Sequence, residues 1–210
     1  APLLDKEGSG VVGFCLIRFH QIMNHLNLET AVNLETLTLH LAPDQLNIFF
    51  PILQKGVTVP VIAGCTLKSL LIDQFVIPAN YVTDRITTIF IDNHPVDDLD
   101  RAIIQDGSRV TLSAAMPGLV GATMRRGGFY AALRQGISHV TDSGTHAGEH
   151  GTVRLKLFNL LLAELGPLVL ARGLILERDE MDELLANLPS LPKDALNGAG
   201  SILLSVTFGE

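Results

Sequence analysis

Charge is scarce in this chain of 210 residues. Charged side chains make up 18% of it, against the roughly 25% usual for a globular domain, while apolar residues make up 47%. A chain so composed has either a large core or an apolar face that a partner covers. Cysteine is scarcer still. Cys15 and Cys65 are the only two, and neither belongs to a C-x-x-C pair. That excludes a disulfide framework and a cysteine-only metal site, and leaves each as a small buried apolar residue, with a catalytic thiol as the alternative. Basic residues are thinly spread apart from the Arg125-Arg126 pair, and the net charge of −7 repels phosphate backbones, so no nucleic-acid partner is expected. A long uncharged run is also missing. The best candidate, residues 153–176, is interrupted by Arg154, Lys156, Glu164 and Arg172, whereas a membrane span needs about 20 nearly uncharged residues. The opening residues show no basic start followed by an apolar stretch, and no Asn-x-Ser/Thr sequon occurs, so the expected compartment is the cytoplasm.

What is present is hydrophobic periodicity. Val12, Cys15, Phe19, Ile22, Met23 and Leu26 recur at steps of three and four and predict a helix over about 11–27. Leu37, Leu39 and Leu41 alternate with Thr36, Thr38 and His40, which predicts a strand. Residues 43–54 fit either a helix begun at Pro43-Asp44 or an edge strand over 47–53. Pro51 turns the reading toward strand. Val57–Ala63 is strand-like, with Pro60 marking an edge or bulge. Thr66 is a helix N-cap for Leu67, Leu70, Leu71 and Phe75. Strands follow over 86–91 and 110–113, around the turn residues 92–95 and 106–107. Residues 118–151 read as Gly-, Thr-, Ser- and His-rich loops with short elements. Residues 153–172 form an apolar helix, or a strand entering one. Residues 177–188 form an acidic amphipathic helix, and 202–208 a last strand whose partner lies elsewhere in the chain or in another chain. No internal repeat is evident.

The order strand, turn, strand, helix, connection, strand, loop, strand is a β-grasp plan. The stretches Gly64–Leu71, Ile89–Val96 and Ile104–Leu112 resemble the small sulfur-carrier proteins of thiamine and molybdopterin biosynthesis, which are β-grasp proteins. The resemblance covers about a third of the chain and marks fold rather than activity. It implies an α+β protein with a β-grasp (ubiquitin-like) core at 46–117, a helix and strand before it at 1–45, and a helical, mixed part at 118–210. In that family the last strand leads to a C-terminal Gly-Gly. Here it leads to Met116-Pro117-Gly118, and the tail-like Gly127-Gly128 that follows Arg125-Arg126 is internal, so a carrier role requires cleavage after Gly128.

Two groups of residues carry possible chemistry. His139, His146 and His150, with Glu149, could hold a divalent metal, because His146 and His150 share a face if that stretch is helical. Gly118 and Gly121 permit close backbone approach, and Arg125, Arg126 and Arg134 could pair with an anionic ligand. No phosphate-loop or dinucleotide pattern is present. Asp92, His94, Asp97, Asp98 and Asp100 cluster without the spacing of a calcium loop and read as an inter-strand loop, and His20 and His25 lie on different helical faces. The expectation is a binding or assembly protein with a protein partner or a homodimer. The alternatives are an enzyme built on the histidines and arginines, and a processed sulfur carrier.

Overall fold

Alternating apolar residues in the longer strands draw eight stretches of the described residues into one mixed sheet, and helices close over it. The computed structural model describes residues 35–139, 148–188 and 200–209. The helix expected over 11–27, with Cys15, His20 and His25, lies outside the described residues. The strands are β1 (Glu35–Leu41), β2 (Val57–Ile62), β3 (Thr88–Ile91), β4 (His94–Pro95), β5 (Arg109–Ser113), β6 (His150–Phe158), β7 (Leu174–Leu176) and β8 (Ile202–Phe208). Their order across the sheet is β1-β8-β7-β2-β6-β5-β3-β4. β1 pairs parallel with β8 and β5 parallel with β6, and every other neighbour pair is antiparallel. The last strand therefore finds both its partners, β1 and β7, within the chain.

Register turns the alternation into a core. Val57 lies beside Leu155, Leu155 beside Val110, and Val110 beside Ile91. On the other side Leu174 lies beside Leu204, and Leu204 beside Leu37. One face of the sheet is thus apolar from β1 to β3, and ends at β4, where the exposed His94 lies beside Ile91. Helix α1 (Phe50–Lys55) and helix α5 (Leu161–Arg172) pack on it together, through Ile52 and Leu53 of the first and Leu161, Leu165, Val169 and Leu170 of the second. Between them in the chain come α2 (Leu67–Ser69, continuing as a π-turn Leu70–Gln74), α3 (Ala79–Asp84) and α4 (Gly118–Met124). Helix α6 (Arg178–Ala186) follows β7, and its Glu180 accepts a 2.6 Å bond from Arg154, whose side chain leaves the opposite face of β6.

Several expectations hold. Thr66 caps α2, with its Oγ1 accepting from the Ser69 amide at 3.1 Å. Of the turn expected over 92–95, Asp92-Asn93 turns the chain with both residues at positive φ, 50° and 68°, the geometry of a two-residue hairpin, while His94-Pro95 is strand β4. Others need correction. The edge strand expected over 47–53 is helical: a 3-10 segment (Pro43–Phe49) leads directly into α1. Pro51 does not break it, because it sits in the first turn of α1, where its missing N–H has no intrahelical acceptor to lose. Helix α3 and strand β7 lay hidden in stretches read as connection and as helix end.

A local design also occurs twice. β1 runs through α1 to β2, and β6 through α5 to β7. Each unit has alternating aliphatics in its first strand, a proline within the helix (Pro51, Pro167), a basic residue as the last helical residue (Lys55, Arg172) and then a glycine. Gly56 has φ 109° and ψ 137°, and Gly173 has φ 101° and ψ 135°. The same left-handed exit, which L side chains rarely adopt, sends both chains back into the sheet. The two sequences share pattern rather than identity, so the repeat is visible only in three dimensions.

Pro60 sits in the middle of the sheet, where proline is rare. Its neighbour β7 begins only at Leu174 and meets β2 at the single pair Thr58↔Ile175, which leaves residues 60–62 without a strand on that side among the described residues. Side chains take over from there. Gln74 pairs with Ile62 like a strand residue, accepting from its amide at 2.8 Å and donating to its carbonyl at 2.9 Å. Arg172, only 3% exposed, donates to the Gln74 carbonyl and, at 3.4 Å, to the Pro60 carbonyl, with its guanidinium 5.0 Å from the Phe75 ring centroid. Arg172→Ala is expected to lower global stability by about 3 kcal/mol, since it orphans buried carbonyls and removes packing; denaturant unfolding followed by circular dichroism measures this.

A polar latch joins α3 to α5. Arg85 grips Glu164 with two donors, its Nε at 3.0 Å, and the Tyr81 hydroxyl donates to the same carboxylate. The Arg85 bonds hold the Glu164 carboxyl below its ordinary value, and burial with the Glu164 contact pushes the Tyr81 hydroxyl up. A depressed carboxylate contributes stability above the unfolded value, about pH 4.3, and loses it as pH falls through the folded one. Unfolding midpoints measured from pH 7 to 3 are expected to fall less steeply below about pH 4.3 in Glu164→Gln than in the parent chain.

Candidate functional site

The stretch after β5 is built inside out. A surface segment ordinarily turns its apolar residues inward and its charges to water. From α4 through the 3-10 segment Phe129–Ile137 the reverse holds. Leu119 is 72% exposed, Phe129 91% and Leu133 76%, and Val120, Tyr130 and Ile137 are exposed as well. Phe129 and Tyr130 meet edge to face, with ring centroids 5.2 Å apart. Arg126 and Arg134 go the other way.

Arg134 is the deepest, with its side chain 1% exposed. Its Nη2 donates to Asp97 at 2.7 Å, its Nε to the Thr123 carbonyl at 2.8 Å and its Nη1 to the Ser138 hydroxyl at 3.2 Å. Arg126 is half-buried. Its amide donates to the Thr87 carbonyl and its Nη2 to the Val82 carbonyl, both at 2.8 Å, which ties the segment to the end of α3 and the start of β3. Burial pulls the Arg126 guanidinium down from its ordinary value, and the nearby Asp97 partly offsets this. Further along, the His139 amide donates to the Pro95 carbonyl at 2.9 Å. Two arginines and two main-chain bonds thus hold the polar side of the segment against the β3–β4 end of the sheet.

The glycines serve the same packing. Gly118 begins α4 at φ +72°, and Gly121 is so closely approached that a Cβ there would lie 1.9 Å from the Met116 carbonyl oxygen. Gly127 and Gly128 form the turn between α4 and the 3-10 segment, with the Gly127 amide 3.4 Å from Asp97 and the Gly128 amide bonded to the Arg125 carbonyl at 3.1 Å. Arg125 is exposed. Of the residues expected to bind an anionic ligand, Gly118, Gly121, Arg125, Arg126 and Arg134 are indeed gathered in one segment. Arg134, however, spends its donors on Asp97, the Thr123 carbonyl and the Ser138 hydroxyl, and Arg126 spends its Nη2 on the Val82 carbonyl, while its Nη1 is buried without a partner among the described residues.

The chain matches no family model, no curated protein and no solved structure, so the site is read from its own geometry.

The histidine group is dispersed among the described residues. His150 starts β6 beside Ile62, while His139 is bonded to Pro95 in β4, three strands away across the sheet. Glu149 is exposed, its carbonyl accepting from Ala63 at 2.8 Å, and His146 lies outside the described residues. Among the described residues no group of three or more His, Cys, Asp or Glu is arranged to hold a metal ion. The acidic cluster at 92–100 has local duties. Asp92 accepts from the Arg109 amide at 2.8 Å, Asp98 from the amides of Asp100 and Arg101, and Asp100 pairs with Lys68 at 2.8 Å. Cys65 is half-buried. Burial pushes its thiol up, and Gln74 donates to its sulfur at 3.2 Å. No helix among the described residues is long and apolar enough to cross a membrane.

Sequence reading singled out the arginines of this segment but passed over Leu119, Val120, Phe129, Leu133 and Ile137. An apolar residue in a glycine-rich stretch carries no sign of which way it points. Arg134→Met is expected to cost about 1–3 kcal/mol of segment docking, because Asp97 can rehydrate while the Thr123 carbonyl loses a charged donor. Native-state hydrogen exchange reads it as faster exchange over 118–139, with the β2, β5 and β6 amides unchanged.

Proposed function

We propose that the chain is a docking module whose protein partner seats on the apolar surface of residues 118–137. The observation that carries this is the inverted segment: Arg134 buried and Arg126 half-buried against the sheet, and six large apolar side chains turned to water. Exposing Phe129 and Leu133 costs hydrophobic free energy that burial under a partner recovers, at about 25 cal/mol per Å². The sequence from Gly118 to His139 contains no Asp or Glu, so the partner surface is apolar and tolerates Arg125 at its rim.

We read the support beneath this surface as a β-grasp with one strand supplied from downstream. In favour of this, β2, β6, β5, β3 and β4 stand side by side, antiparallel, parallel, antiparallel and antiparallel in turn, with α2 between β2 and β3 in the chain. That is the hairpin, helix and returning strands of a β-grasp, except that the strand pairing with both β2 and β5 comes after β5 in sequence. The segment 118–137 then leaves the grasp where a carrier protein's tail would leave it. The carrier reading itself has a physical obstacle. A chain cut after Gly128 would sever covalent connection to β6, which occupies the middle of the sheet.

The double variant Phe129→Ser/Leu133→Ser is expected to keep or slightly raise the melting temperature. A photo-crosslinker placed at Tyr130 in cells should give one defined protein adduct in the parent chain and none in the double variant. Equal crosslinking in both would sink the reading, and binding of the parent chain to anionic vesicles in place of a protein would replace it with a membrane-surface role.

A further inference from the structure

The two edges of the sheet are treated differently. At one edge β4 is two residues long and ends in Pro95, so it offers almost nothing for another strand to pair with. At the other edge β1 is seven residues long, Glu35–Leu41, with no proline, lysine or arginine, and no described residue covers its outer side. Sheets that leave an edge so unguarded invite pairing.

The register specifies what that edge presents. The Leu41 carbonyl accepts from the Gly209 amide at 3.1 Å and therefore faces β8. In a parallel ladder alternate residues face the same neighbour, so Leu37, Leu39 and Leu41 turn their main-chain groups to β8. Thr36, Thr38 and His40 turn their N–H and C=O groups to the open edge. Their side chains are exposed on the outer face of the sheet, where His40 also bonds the Thr207 hydroxyl at 2.6 Å. On the core face Leu37 and Leu41 are only half-buried.

We infer that β1 pairs antiparallel with β1 of a second copy of this chain, about a two-fold axis at Thr38, so that two sheets become one. The pattern is self-complementary. Centred on Thr38, Thr38 faces Thr38 and Thr36 faces His40, and each of these pairs exchanges two main-chain bonds. Leu37 then faces Leu39 and carries the apolar face across the centre of the seam, with Glu35 on the same face at its two ends. The one charged residue of β1, Glu35, falls opposite Leu41, so no like charges meet. A partner of unrelated sequence would gain the main-chain bonds but not this match on both faces. The seam lies at the opposite end of the sheet order from the β3–β4 end that carries the 118–137 surface, so the two readings fail separately.

The test uses Thr38→Pro and Thr38→Lys in the full chain. Thr38 directs its main-chain groups away from β8, so neither change removes a bond of the fold, and the melting temperature should hold in both. Sedimentation over a dilution series is expected to show a monomer–dimer equilibrium for the parent chain, weakened about 100-fold or more in each variant. Hydrogen exchange should find the amides of Thr36, Thr38 and His40 protected in the concentrated parent and exposed on dilution. A dimer that survives Thr38→Pro would overturn the proposal, since the interface would then lie elsewhere. So would a monomeric parent, whether those amides exchange freely or are protected at every concentration by another part of the same chain. Loss of the dimer in Phe129→Ser/Leu133→Ser with retention in Thr38→Pro would move the self-association to the 118–137 surface.

Discussion

Strand β6 is the piece on which the other elements depend. It hydrogen-bonds β2 on one side and β5 on the other, and so joins the strands of the first half of the chain into a sheet. Its Val153, Leu155 and Leu157 have no exposure at all, and α1 and α5 both rest against it. Without β6, β2 and β5 would face each other across an unfilled gap, with main-chain donors and acceptors on both sides left bare. Burial of such groups without partners is expensive enough that the gap cannot persist. The chain closes it by reaching back from residue 150 to a place between strands laid down about forty and ninety residues earlier.

That requirement shapes the middle of the sheet. β2 needs a neighbour on each side, yet Pro60 has no N–H to give. β7 therefore begins only past Pro60 and meets β2 at one pair, and Gln74 and Arg172 complete the edge with side chains. Arg172 stands at the end of α5, just before the Gly173 exit that starts β7. One residue thus links the end of a helix, the interruption of a strand and the π-turn that follows α2. A guanidinium suits the position because it can donate in several directions at once while its flat face lies near Phe75.

The same use of arginine recurs at the 118–137 segment, with a different result. There Arg126 and Arg134 satisfy carbonyls and Asp97 and draw the polar side of the segment inward. Once both are anchored, the apolar residues between them have only solvent to face. The inverted surface follows from where the hydrogen-bonding partners are.

Much of the fold was readable along the chain. The alternation in residues 35–41, 57–62, 88–91, 109–113 and 202–208, the Thr66 cap and the Asp92-Asn93 turn all rest on local stereochemistry, which neighbouring residues decide. Composition likewise pointed to a large core or an apolar face, without choosing between them. Three things were settled only in space. Pro51 could end a helix or begin one, and its place in the first turn was decided by packing of Phe49, Ile52 and Leu53. The pairing of β6 between β2 and β5 depends on contacts far apart in sequence, which no local pattern encodes. The outward direction of Phe129 and Leu133 depends on Asp97 and on carbonyls of Thr123 and Val82, groups that alternation and spacing cannot place next to the arginines.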